Sequence, residues 1–99
     1  MTFRQDLLVY LYKIISEWKD RLVSASNLRN LLAKRIAGEI VLSDEPGVLM
    51  KRWRETFSTS QTRLARKIGI SLSVVSDYES GRRNNPGVKF IKRYIEALL

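Results

Sequence analysis

Hydrophobic residues recur along the chain at steps of three and four, the period of a helix, and almost nowhere at the step of two that marks a strand. The first run is Leu7, Leu11, Ile14, Trp18 and Leu22, widened by Leu8, Tyr12 and Ile15. It predicts a helix from about Arg4 to about Leu22. A stripe this wide has to face neighbours within the chain, as core, or a second copy of it, as a dimer seam. Ser24-Ala25-Ser26-Asn27 breaks the pattern and offers capping oxygens. Leu28, Leu31, Leu32, Ile36 and Ile40 then predict a second helix from about Leu28. Its end stays open, because Gly38 weakens it and Ile40-Val41-Leu42 reads equally as a short extended piece.

Ser43-Asp44-Glu45-Pro46-Gly47 marks the next start, since proline fits a first helical turn and acidic groups suit its positive end. The third helix carries Leu49, Met50, Trp53 and Phe57. Ser58-Thr59-Ser60 offers two capping registers, a box formed by Ser58 with Gln61 or a cap by Ser60 alone. A fourth helix, about Gln61 to Ile68, turns Leu64, Ala65 and Ile68 inward and ends at Gly69. Ser71 caps a fifth, about Leu72 to Ser80, with Val75 and Tyr78 inward and Gly81 as its stop. After the polar loop Arg82-Arg83-Asn84-Asn85, Pro86 opens a last helix with Val88, Ile91, Ile95 and Leu98 on one face and Phe90 and Tyr94 beside it. The expected fold class is all-α.

Composition removes whole classes of chemistry. The 99 residues include no Cys and no His, which excludes zinc ribbons and fingers, disulfide scaffolds, thiol catalysis and histidine triads. With no glycine-rich phosphate loop and no paired carboxylates on one face, an enzyme is not expected, and no cofactor, metal or small-molecule site is implied. The run Leu7 to Ile15 has the apolarity of a signal peptide, but Lys13 interrupts it and Glu17, Lys19, Asp20 and Arg21 follow, so secretion is not expected. No run approaches the roughly 18 apolar residues of a membrane span.

Charge points to a partner. Residues 1–48 hold seven basic and six acidic side chains, while residues 49–99 hold eleven and four, together the 18 and 10 of the whole chain. The second half thus carries seven of the eight net positive charges. A half-chain this basic calls for a polyanion, nucleic acid ahead of an anionic membrane surface.

A short helix, a glycine-centred turn and a second short helix form the geometry that lets one helix enter a major groove while the other braces across the backbone. Small Ala65 permits close approach of the two helices, and Ser73, Ser76, Asp77 and Ser80 leave the outer face of the second short and hydrogen-bonding. The string Ser60-Gln61-x-x-Leu64-Ala65-x-x-Ile68-Gly69-Ile70-Ser71-x-Ser73-x-Val75-Ser76-x-Tyr78-Glu79-x-Gly81-Arg82-Arg83-x-x-Pro86 resembles the Cro and phage-repressor (Xre-like) helix-turn-helix class. The resemblance covers about residues 47–99, and Ala37 to Ser43 is also similar to the lead-in of this domain in archaeal helix-turn-helix transcription regulators. Those tend to continue into a further C-terminal domain, whereas this chain stops inside a predicted helix, as a fragment or a minimal version would.

The resemblance implies an N-terminal helical region over 1–45, a candidate for dimerisation, and a lambda-repressor-like bundle over 46–99. It implies a regulator binding double-stranded DNA, as a homodimer on a palindromic operator, in the cytoplasm and not at a membrane. Its base-reading residues would be Leu72, Ser73, Ser76 and Asp77, and its phosphate contacts Ser60, Gln61, Arg63, Ser80, Arg82, Arg83, Asn84, Asn85 and Lys89. Two positions depart from the class. Leu72 stands where a glutamine often reads adenine and can only pack on a thymine methyl, and Asp77 either accepts from a cytosine amino group or pairs with Arg82. Glu79 invites reading as an acid catalyst, but the class implies a structural bridge to Arg54, alongside structural Ala65 and Gly69. Trp53, Phe57 and Tyr78 read as core, and Arg52, Arg63 and Arg66 read equally as solvated face. Two other uses of the same fold are an antitoxin, whose N-terminal helices mask a toxin, and a transcription coactivator bridging proteins.

Overall fold

The computed structural model describes residues 3–17 and 24–99, and these form helices with no strand among them. In chain order they are α1 (Phe3–Glu17), α2 (Ser24–Leu42), α3 (Pro46–Thr56), α4 (Gln61–Ile68), α5 (Leu72–Ser80) and α6 (Val88–Leu98). α1 packs on α2, and α2 lies across α3 and α6. α5 packs on α3 and α4, and α4 also meets α6. One core runs through all of them. Its fully buried members are Leu32, Ile36 and Ile40 of α2, Met50 and Trp53 of α3, Leu64 of α4, Val75 of α5 and Tyr94 of α6.

The ambiguous end of α2 is helical, and magnitudes explain why. Burying Leu32, Ile36 and Ile40, one turn apart, stabilises the docked helix by roughly 5–9 kcal/mol as an upper bound. A glycine in mid-helix costs only about 1 kcal/mol against that. Gly38 faces open space, and Val41 and Leu42 complete the last turn while staying exposed. Two boundaries differ from the sequence reading. α2 begins at Ser24, so Ser24-Ala25-Ser26-Asn27 forms its first turn rather than a break before it. α6 begins at Val88 with Gly87 as its N-cap, two residues beyond Pro86. Leu31, expected inward, is exposed.

The largest departure is in α1. Leu7, Leu11 and Ile14 of the expected stripe are exposed, and the covered face is Gln5 and Val9, with Leu8 and Tyr12 half-buried. Polar anchors decide this orientation. The Gln5 amide donates to the Glu39 carboxylate, and the Tyr12 hydroxyl donates to the Leu99 carbonyl at 2.9 Å. The Tyr12 ring also meets Phe57 edge-on, with centroids 6.4 Å apart. Trp18 and Leu22, expected to extend the stripe, lie outside the described residues.

Candidate nucleic-acid interface

α4 starts where Ser60 adopts an extended backbone and its hydroxyl accepts the Arg63 amide at 3.1 Å. Ser60 therefore caps alone, and Ser58, at φ +55°, takes no part. α4 ends at Gly69, whose φ of +83° is a left-handed terminus that a side chain would strain. The Gly69 and Ile70 amides both close on the Ala65 carbonyl, and the Arg93 guanidinium donates to the Ile68 carbonyl. Two residues on, the Ser71 hydroxyl accepts the Val74 amide and starts α5. Buried Ala65 and Ile68 hold α4 to the core, and Val75 does the same for α5.

The far end of α5 is fixed by one carboxylate. Glu79 is 6% exposed and Arg54 8%. Arg54 donates Nε to Glu79 Oε2 at 2.8 Å and Nη2 to Oε1 at 2.9 Å, a two-pronged pair, and its Nη1 donates to the Thr59 carbonyl at 2.9 Å. Gln61 donates Nε2 to Glu79 Oε1 at 3.0 Å. The single Tyr94 hydroxyl hydrogen lies between Glu79 Oε2 at 3.0 Å and the Met50 carbonyl at 2.8 Å. α3, α4, α5 and α6 thus converge on Glu79. The hydrogen bond to Glu79 raises the Arg54 pKa above its ordinary value, against the opposing effect of burial. Burial first, and then the Glu79 charge, hold the Tyr94 hydroxyl well above the ordinary tyrosine range. Beside this cluster α3 starts against the end of α5, so closely that a Cβ on Gly47 would lie 2.1 Å from the Tyr78 carbonyl oxygen.

The outer surface is polar and basic. Leu72 and Ser73 are exposed on the first turn of α5, and Ser76 and Asp77 follow half-buried, with Ser73 and Asp77 one turn apart on one face. Asp77 faces Arg82 Nε at 3.6 Å and Arg83 Nε at 3.8 Å, and its carbonyl accepts the Arg83 amide at 3.0 Å. Arg82 Nε also donates to the Ser80 hydroxyl at 3.2 Å, and the Arg83 guanidinium sits 5.8 Å from the Tyr78 ring centre. Such exposed ion pairs contribute under about 1 kcal/mol each, so both arginines stay available to another anion. Asn84 and Asn85 continue the exposed loop, Asn85 at φ +57°, and Lys89 is exposed on the first turn of α6. Asp77, Ser80, Arg82 and Arg83 thus form one group, while Ser60 and Arg63 stand at the start of α4. Gln61 is turned inward onto Glu79.

Two residues that shape this surface carried no signal in the sequence. Gly47 reads only as punctuation after Pro46, and Tyr94 only as the margin of an apolar face. Among the described residues no group of three or more His, Cys, Asp or Glu could hold a metal ion, and no helix is long and apolar enough to cross a membrane.

The chain is 54% identical over 68 residues to an uncharacterised HTH-type transcriptional regulator of Archaeoglobus fulgidus, covering 69% of this chain and 29% of that protein. It is 50% identical over 64 residues to another so named in Methanocaldococcus jannaschii, covering 65% of this chain and 27% of that one. The chain therefore spans less than a third of the length of these curated relatives. No solved structure matches it significantly. Residues 50–98 match the family described as Helix-turn-helix, a span running from Met50 through both short helices to Leu98. With α4, the Gly69 turn and α5 arranged as above, the chain belongs to the helix-turn-helix family of Cro and phage-repressor type.

Proposed function

We propose that this chain binds double-stranded DNA in a sequence-specific manner and regulates transcription in the cytoplasm, as a homodimer on a two-fold site. The observation that carries the reading is the short helix α5. On its outer side Leu72 and Ser73 are exposed and Ser76 and Asp77 half-exposed, while Glu79 and Gly47 hold its last turn, in a half-chain bearing seven of the net positive charges. α5 enters the major groove. Ser73 and Ser76 meet base edges, Leu72 packs on a thymine methyl, and Asp77 accepts from a cytosine amino group or keeps to its arginines. Ser60, Arg63, Ser80, Arg82, Arg83, Asn84, Asn85 and Lys89 line the phosphates. Gln61 joins them with the amide hydrogen that Glu79 does not use. Two copies on a palindrome double the few base contacts one short helix makes. The domain division follows, with 1–45 serving association and 46–99 serving DNA.

Binding-site selection from random duplexes tests the reading and should return a two-fold motif. Affinity for that site should fall with salt at about 0.9 log unit per phosphate contact. Four cations per copy, Arg63, Arg82, Arg83 and Lys89, give a slope near −7 for a dimer at about 0.9 per contact. Arg82→Ala and Arg83→Ala should weaken all sequences alike, while Ser73→Ala and Asp77→Ala should change the preferred sequence. A flat salt response, or no enriched sequence, refutes the proposal.

A further inference from the structure

α1 has two apolar faces, and the described residues cover only one of them. Gln5, Val9 and Tyr12 point to α2 and the core. On the opposite side Leu7 (45% exposed), Tyr10 (61%), Leu11 (39%) and Ile14 (37%) form a stripe at positions i, i+3, i+4 and i+7. These four span an arc of roughly 100°. They lie on a 15-residue helix about 22 Å long. A contiguous apolar stripe of this kind on a charged protein marks a contact with another chain.

The charges on its flank identify that chain. Asp6 and Lys13 are both exposed, seven residues apart, and therefore share one edge of the stripe. If a second α1 packs antiparallel, centred near Tyr10, Asp6 of each copy faces Lys13 of the other. Leu7 then lies near Ile14 and Tyr10 near Leu11, so the stripes cover each other end to end. In a parallel pair this edge would face the opposite flank of the other helix, and Asp6 and Lys13 would not meet. The edge is thus complementary to itself only in the reversed sense. Lys13 also reaches the Phe57 ring of its own chain, 5.9 Å from its centre, which holds it on that edge. α1 carries Arg4, Lys13, Asp6 and Glu17 and is electrically balanced, unlike the basic half that drives two copies apart.

We infer that the outward stripe of α1, Leu7, Tyr10, Leu11 and Ile14, is an antiparallel seam with the same helix of a second copy. The inference rests on the homodimer of the proposed function and gives that dimer its surface. Four side chains per copy fall short of the roughly 800 Å² per partner of a standard interface. The free dimer is therefore weak, with a Kd on the order of 10 μM, and tightens when both copies hold one DNA molecule.

Sedimentation equilibrium of the 99-residue chain from 1 to 500 μM, at low salt, tests the seam. The unaltered chain should dimerise. Leu11→Asp should weaken dimerisation by on the order of a hundredfold or more, because each dimer loses two buried leucines. Leu42→Asp, at an exposed position of α2, should leave it unchanged. Asp6→Lys alone and Lys13→Asp alone should each weaken it about threefold to thirtyfold, and an equimolar mixture of the two should restore it. The mixture decides the matter if Leu11→Asp lowers the helix content. A chain that stays monomeric to 500 μM, a dimer indifferent to Leu11→Asp, or single charge changes that do nothing each overturn the seam. A duplex-binding chain that stays monomeric removes the seam alone. A dimer with these properties that binds no duplex removes the DNA reading alone.

Discussion

Glu79→Gln keeps the size of the side chain and removes its charge, which isolates what the carboxylate does. In the folded protein Glu79 receives two N–H groups from Arg54, one from Gln61 and a share of the Tyr94 hydroxyl. A glutamine retains one acceptor oxygen and turns an NH₂ group toward donors of the cluster, of which Tyr94 can fall back on the Met50 carbonyl. Arg54 is left charged at 8% exposure, with the Thr59 carbonyl and a single neutral amide oxygen as its acceptors. Breaking one side of a buried pair in this way costs about 3–5 kcal/mol. Thr59 offers partial relief, so the lower end, about 3 kcal/mol, is expected. Against a total of 5–15 kcal/mol for a domain this size, that lowers Tm by roughly 12–25 °C. Urea unfolding followed by far-UV circular dichroism at pH 7 measures it directly. Arg54→Met together with Glu79→Leu should cost at least about 2 kcal/mol less than the two single changes added, since the double variant buries no lone charge. A loss below about 1 kcal/mol for Glu79→Gln, or additivity within about 0.5 kcal/mol, would refute the claim that this pair sets the stability of the bundle.

Three further outcomes are expected. Gly47→Ala gains about 1 kcal/mol of helix propensity but drives a methyl group onto the Tyr78 carbonyl, so urea unfolding should show a net loss of about 2 kcal/mol or more. Tyr94 has a folded pKa raised above its unfolded value near 10, so its contribution is fully present below pH 10 and is lost as pH rises beyond it. Between about pH 10 and 11.5 the unaltered protein should therefore lose about 1.4 kcal/mol per pH unit more than Tyr94→Phe, by denaturant midpoint at each pH; parallel curves would contradict this. Ser71→Ala removes the cap of α5 and should cost about 1 kcal/mol by the same assay, whereas Ser58→Ala, outside any cap, should cost under about 0.5 kcal/mol.

The helices from Pro46 onward were legible because their punctuation is local. Ser60, Gly69, Ser71 and Gly81 act within one turn of themselves, and each stands where the sequence placed a cap or a stop. The Arg54–Glu79 pair came from the family resemblance and not from spacing, since nothing local links residues 25 apart in sequence. What the sequence hid depends on longer connections. Periodicity says that Leu7, Leu11 and Ile14 share a face, but not which face of α1 is covered. That is settled by Tyr12 reaching Leu99, 87 residues away, and by Gln5 reaching Glu39. In α2 the propensity of Gly38 was overridden by burial at Ile36 and Ile40. The inward turn of Gln61 was hidden too, because its partner lies on another helix.

The attachment of α5 has its strongest polar grip at one end. Its trailing end is held by Glu79, by the backbone approach at Gly47 and by the Tyr78 ring stacked 4.3 Å from Phe90, while its leading end is held by the Ser71 cap and buried Val75. With nine residues it is about 13 Å long, so a tilt of 10° about Glu79 would carry Leu72 and Ser73 sideways by about 2 Å. The Glu79 cluster therefore aims the far tip of the helix, as a rudder stock aims the blade.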